Sequence, residues 1–382
     1  MSAQQPVTLS QINLFPVKSI AGISLSSAWV EKQGLVFDRR FMLALHDGSM
    51  VTARKHPKMV KVSATLTAMG MVLSYEDQQP LKLNYADFDM KEADATVWKD
   101  AFMAYTTTEE ANVWFSGILE QPVQLLFCGE QSNRVREKIG HNVSFADGYP
   151  LLVISEASLD ELNRRSSENH MMAQFRPNLV VSGDEPFIED GWKRIRIGEV
   201  EFEIVKPCER CILTTVDTEK GTFRVSKEPL KTLLTFRANE QGGTFFGQNM
   251  VAKNEGVIRA GDVIEVLETQ PKVKYEDKAS KKVTAEQKEP SKLAQENRAL
   301  TVSINSNVFE GNNTETVLEQ AEKNGLPIMN SCRAGICGAC MVKLESGEVH
   351  QPDAPGLWDV DRKAGRVLAC CCIPKTDIEI SA

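Results

Sequence analysis

Apolar and polar residues alternate with a period of two at 7–10, 11–15 and 60–66 of the first hundred positions, and 41–45 and 71–75 add short apolar-rich runs of strand length. Successive side chains of a strand point to opposite faces, so this pattern predicts short strands, each with one buried face. Their regular spacing predicts a small β-barrel or sandwich. Farther along, residues 155–164 read as a helix, with Ser155 as the capping residue and Glu156 as an early acid. Residues 179–182 and 201–205 return to strand patterns. Near the carboxyl terminus, 300–304 alternate as a strand. Thr314 followed by Val317, Leu318 and Ala321, with Gly325 just beyond, reads as a capped helix. Many strands and few helices predict a mixed, mainly β chain with helices at its margins.

Length turns this pattern into a division of the chain. A chain of 382 residues exceeds one ordinary domain. We expect a β-barrel domain over 1–100, a second β-barrel domain over 101–269, a charged flexible linker over 270–298, and a small α+β, β-grasp domain over 299–382. The linker is rich in Lys, Glu, Gln and Ser and has almost no large apolar residue. As a random coil it would span roughly 30 Å. No apolar run is long enough to cross a membrane, and the first residues lack the basic and apolar regions of a signal peptide, so neither membrane nor secretion is expected. A formal net charge of −8 argues against nucleic acid as a partner. The nine cysteines cluster in metal-like or reactive contexts rather than forming a framework, which suits a reducing cytoplasm. The five histidines show no paired spacing, so a histidine metal centre is not expected.

The cysteines carry the chemistry. Cys332, Cys337 and Cys340 follow the spacing C-x4-C-x2-C and are answered downstream by Cys370, Cys371 and Cys372. Two irons need four thiolates, and a slim loop with Gly335 and Gly338 can wrap a 2Fe–2S cluster. A zinc site would usually pair two short clips instead. The closing segment from Val367 to Pro374 resembles that of ferredoxin-type domains, and the resemblance selects Cys370 as the fourth ligand. Cys371, Cys372 and Cys128 then read as core residues. A second pair, Cys208 and Cys211, follows the strand at 201–205. It has no partner pair for zinc and no helix to suit a redox dithiol, which leaves a single reactive or ligating thiolate. Lys206 and Arg210 would favour its ionisation.

Two polar clusters, Pro16 to Gly22 and Gly34 to Phe41, place Lys18, Ser19, Asp38 and Arg39 at glycine-flanked turns. Basic side chains there suit an oxyanion. These clusters resemble the N-terminal barrel that accompanies MOSC domains, and Thr52 to Lys55 also fits. The run from Arg210 through Cys211, Ile212, Leu213, Thr214 and Thr215 to Asp217 resembles the MOSC segment of the amidoxime-reducing component proteins and their bacterial relatives. The resemblance implies that Cys211, with Cys208 as second choice, ligates the molybdenum of a molybdenum cofactor. It also implies that Lys18, Ser19, Arg39, Arg176 and Arg210 anchor that cofactor and that Asp147 lies near the metal. Asn249 stands where the family often has tyrosine, and its contact is the one that departs from the pattern.

The implied activity is reduction of N-hydroxylated compounds, including purine bases, hydroxylamines and amidoximes, to the amine. Electrons would come from an NAD(P)H-dependent flavoprotein through the 2Fe–2S cluster, since the chain shows no nicotinamide or flavin fingerprint of its own. Sulfur transfer through a persulfide on Cys211, or a role as molybdenum-cofactor carrier, are the alternatives.

Overall fold

The computed structural model describes residues 6–137, 140–240, 242–278 and 298–330, together with 335, 340–352, 354, 357 and 359–381. The chain forms two compact units. The first takes in the chain up to Cys208, Leu213–Pro229 and Phe246–Val273; the second takes in Glu209–Ile212, Leu230–Phe245 and the chain from Lys274 onward.

The first unit is mainly β, as its period-two stretches predict. Its largest sheet has the strand order Ile23–Leu25, Leu9–Leu14, Leu179–Val181, Leu151–Ser155, Phe245–Ala252, Val200–Glu209, Trp192–Ile197 and Ile264–Thr269. Stretches 7–10 and 11–15 are thus one strand, with an irregularity in register between Leu9 and Gln11. Leu151–Ser155 and Leu179–Val181 run parallel. Such a pair needs a crossover, which the helix Glu156–Arg165 supplies. Ser155 caps this helix as predicted, its hydroxyl accepting from the Ser158 N–H at 3.2 Å. Leu9, Ile12, Val153, Val181, Phe202 and Met250 pack the core of this region.

A second sheet joins Glu92–Val97, Asp100–Thr106, Gln124–Phe127, Phe41–Ala44 and Met50–Val51. Position 100 falls within the hairpin of its first two strands. The stretch at 60–66 is only partly a strand. Residues Pro57–Lys61 form a 3-10 turn started by proline, and the strand begins later, at Ser63–Thr67. Proline fixes φ and lacks an N–H, so it favours the start of a helical turn.

The ferredoxin-type part of the second unit is a five-stranded mixed sheet ordered Asn307–Asn312, Ala299–Ile304, Ile378–Ser381, Met341–Ser346 and Arg366–Leu368. The helix Val317–Lys323 buries Val317, Leu318 and Ala321 in the same core as Val302, Ile304 and Ile380. Thr316, not Thr314, caps it. Glu319 lies three residues after Thr316 and completes a capping box, with Thr316 N donating to Glu319 Oε2 at 2.9 Å. Thr314 instead donates its hydroxyl to Asn312.

Candidate active site

Three short segments are laced side by side in the first unit. Arg39 N donates to Phe15 O at 2.7 Å, Phe41 N to Pro16 O at 3.1 Å, Lys18 N to Phe41 O at 2.8 Å and Phe145 N to Arg39 O at 2.9 Å. This lacing brings segments around 15–19, 38–41 and 145–147 to one place. Asn178 adds a fourth, its Nδ2 donating to Asn13 O at 3.2 Å and its Oδ1 accepting from Arg39 at 3.0 Å. Ser19, Arg39 and Arg176 all have left-handed backbone, with φ of 74°, 49° and 56°. Each such residue costs on the order of 1–3 kcal/mol, and such strain concentrates where a binding site is built.

The side chains gathered there are mostly cationic. Lys18 is buried and donates to Phe145 O at 2.7 Å and to Asp147 Oδ1 at 2.6 Å. Arg54 reaches Asp147 Oδ2 at 2.7 Å, and the indole N–H of Trp98 reaches Oδ1 at 3.2 Å. Arg39 pairs with buried Asp38. The guanidinium groups of Arg39 and Arg176 both lie over the Phe15 ring, 4.3 and 4.2 Å from its centroid.

Burial pulls the Lys18 ammonium down to about 8, although Asp147 opposes the shift. Burial, then the charge of Arg39, pulls Arg176 down to about 9. Asp147 keeps 49% of its side chain exposed; its partial desolvation would raise the carboxyl, but the charges of Arg54 and Lys18 outweigh it and hold the group well below the usual carboxylate range. Lys18, Arg39, Arg54 and Arg176 thus gather around two carboxylates, Asp38 and Asp147. That excess of partly desolvated positive charge fits an anionic, phosphate-bearing group such as the molybdenum cofactor.

Arg134 supports this arrangement from below. It is buried, and its guanidinium donates to the carbonyls of Ser144 (3.1 Å), Ala146 and Asp147 (3.2 Å), and to Asp100 at 2.9 Å. Arg134 therefore holds the loop that presents Asp147. Its role was hidden in the sequence, as were those of Phe15 and Trp98. Phe15 at least stands directly before the polar turn at 16–19.

Of the other predicted residues, Cys208 lies half-buried near the end of the strand Val200–Glu209. Asn249 pairs with Leu152 across the sheet and donates to Pro207 O at 3.3 Å. Arg210 and Cys211 belong to the second unit, where Arg210 N donates to Thr244 O at 2.8 Å and Cys211 is half-buried.

In the iron–sulfur domain, Cys332 and Cys337 lie outside the described residues. Cys340 precedes the strand Met341–Ser346, and Cys370 follows Arg366–Leu368. Met341 pairs with Leu368, and Ala369 N donates to Cys340 O at 3.0 Å, so both buried cysteines come to the same end of adjacent strands. Contact with the thiols of Cys340 and Cys371 raises the Cys370 thiol strongly. Thiols crowded this way suit metal ligation, which removes their protons. Gly335 N donates to Cys370 Sγ at 3.3 Å. A Cβ at Gly335, whose φ is 72°, would stand 3.0 Å from Ala354 Cβ and 3.1 Å from Cys371 Sγ. Cys372 and Cys128 are core residues, as expected, whereas Cys371 is only half-buried and accepts from Gln351 at 3.2 Å.

Residues 6–122 match the MOSC N-terminal beta barrel domain, 140–265 the MOSC domain and 300–375 the 2Fe-2S iron-sulfur cluster binding domain. Mitochondrial amidoxime-reducing component 1 of Xenopus laevis is 31% identical over 286 residues, which is 68% of this chain and 82% of the relative. The chain belongs to the amidoxime-reducing component family. Component 2 of Rattus norvegicus is 33% identical over 283 residues, covering 68% and 83% of the two chains. Human component 1 is 32% identical over 284 residues, covering 69% and 84%. As a member of this family with both MOSC domains and a 2Fe–2S domain, the chain is a molybdenum-dependent oxidoreductase of the reductase type. Its cofactors are a molybdenum cofactor and a 2Fe–2S cluster. The cluster implies one-electron exchange with a redox partner. No helix among the described residues is long and apolar enough to cross a membrane.

Proposed function

We propose that this chain reduces N-hydroxylated compounds to the parent amine or amidine: R–NHOH, two electrons and two protons give R–NH2 and water. The observation that carries the reading is the cationic cluster of buried Lys18 and half-buried Arg39, Arg54 and Arg176 beside Asp147, in one chain with a 2Fe–2S domain. Amidoximes enter as substrates because the relatives are named for reducing them. N-hydroxylated purines and hydroxylamines share the N–O bond that is broken. The electron donor is an NAD(P)H-dependent flavoprotein, and the cysteine usage suits a reducing compartment such as the cytoplasm.

The molybdenum centre, when bound, supplies the two-electron exchange at which the N–O bond breaks. The residues of the chain supply the rest. Lys18, Ser19, Arg39, Arg176 and Arg210 bind the anionic cofactor, Asn249 lies beside it, and Cys211 offers a soft thiolate to the metal. Cys332, Cys337, Cys340 and Cys370 hold the cluster. Asp147, kept ionised by Arg54 and Lys18, can accept a hydrogen bond from the N–H edge of an amidine-like substrate. Lys18 Nζ, buried and bonded to Phe145 O and Asp147 Oδ1, holds that carboxylate in place.

The test is metal content and turnover of wild type beside Cys211→Ala, both made in cells that produce the cofactor. Wild type should hold about one molybdenum and about two iron atoms per chain and reduce benzamidoxime, and the variant should lose activity while keeping iron. Protein with iron but no molybdenum in both forms, or a persulfide on Cys211, would sink the reading.

A further inference from the structure

Trp98 is an exposed aromatic side chain anchored by two polar neighbours. It sits at the tip of the hairpin between Glu92–Val97 and Asp100–Thr106, with left-handed backbone at φ 59°. The Arg54 guanidinium lies over its ring, 4.7 Å from the centroid. Its N–H is engaged by Asp147 at 3.2 Å, and Arg54 itself reaches the same carboxylate at 2.7 Å. Ring, guanidinium and carboxylate thus close a triangle. Even so, 44% of the residue is exposed. With Arg54 over one face and the N–H engaged by Asp147, the opposite face of the ring is free of both contacts. Leaving a rigid indole in water forfeits the burial a tryptophan ordinarily gains. A ring already immobilised also loses little rotamer freedom when it binds a ligand.

We propose that Trp98 is a specificity-determining platform at the active site. A flat N-hydroxylated compound, one whose N–OH-bearing group is conjugated to an aromatic ring system, stacks on the open face of the indole. From there its N–H edge reaches Asp147. Aliphatic analogues gain nothing from that face, so the site prefers aromatic substrates. This inference rests on the reading of the chain as an N-hydroxyl reductase.

Benzamidoxime and acetamidoxime differ only in carrying a phenyl or a methyl group. Holoenzyme of wild type, Trp98→Phe and Trp98→Ala, matched for molybdenum and iron content, is assayed on both with chemically reduced methyl viologen as electron source. Calorimetry measures binding of the products benzamidine and acetamidine. Wild type and Trp98→Phe should favour the aromatic substrate. In Trp98→Ala the kcat/KM ratio of benzamidoxime to acetamidoxime should fall about tenfold, as expected for one stacked ring. The fall should be carried by KM, and the preference for benzamidine over acetamidine should fall with it. An equal loss on both substrates, leaving the ratio unchanged, would mean that the indole only props Arg54 and Asp147, and would overturn the proposal. If wild type reduces neither amidoxime, the reductase reading fails on its own, and the two amidine affinities still decide whether Trp98 is a platform.

Discussion

At the scale of single residues, the site depends on close approaches that leave no slack. Gly22 lies against Phe15, the ring beneath Arg39 and Arg176, and a Cβ on Gly22 would stand 2.5 Å from Phe15 Cε1. Phe15 is buried and covered by two guanidinium groups, so it cannot move aside freely. Gly22→Ala should therefore cost about 1–3 kcal/mol, read as a lowered melting temperature, and should reduce molybdenum content. Arg134→Met leaves the carbonyls of residues 144, 146 and 147 without their donor. Loss of a buried charged partner of this kind costs about 3–5 kcal/mol, visible as a shift in urea midpoint, and Arg134→Lys should recover only part of it because lysine lacks the planar fork. An unchanged midpoint in Arg134→Met would show that solvent replaces the guanidinium at no cost.

At the scale of elements, two helices carry testable devices. Thr316→Ala removes the capping box of Val317–Lys323 and should lower stability by about 1 kcal/mol, while Thr314→Ala should cost less. The helix Glu156–Arg165 is followed by buried His170, whose backbone N–H and C=O both bond Asn163 and whose Nε2 meets Ser166 Oγ at 2.8 Å. Burial, then the Arg224 charge, pulls His170 down to about 4 from an ordinary 6.5. Between those values the unfolded chain binds a proton that the folded chain refuses. The stability from this group is whole above pH 6.5 and declines as the pH falls toward 4, by at most about 3 kcal/mol. His170→Gln should flatten that part of the stability curve in denaturant titrations between pH 7 and 4.

At the scale of the molecule, the apolar core of the iron–sulfur domain draws, among the described residues, on positions from Val302 to Ile380 and shares none of them with the cores built around Phe41 or Val153. Loss of one cofactor should therefore spare the binding of the other. Cys370→Ala should lose iron and keep molybdenum, the reverse of Cys211→Ala, and loss of both metals from either variant would contradict separate cores. The first residues of the expected linker are less free than their composition suggests. The Tyr275 ring stacks on Phe245 with centroids 5.8 Å apart and lies under the Arg237 guanidinium, 4.3 Å from its centroid.

The mainly β class, the capped helix after residue 155 and the ferredoxin-type domain could be read from the chain because each depends on periodicity or on spacing within one segment. The same holds for the cysteines at 340 and 370 and for the cationic turn at 16–19, where neighbouring residues carry the signal. Other features needed the folded molecule. The first strand pairs with residues 179–181, Arg134 reaches from one loop into the next, and Trp98 meets Arg54 and Asp147 from three distant segments. Such meetings arise when backbone hydrogen bonds and apolar burial bring remote stretches together, and no local pattern encodes them. Sequence alone thus determined which chemical groups the chain carries; tertiary structure decided which of them share one desolvated place, because charge and strain become informative only once water has been excluded.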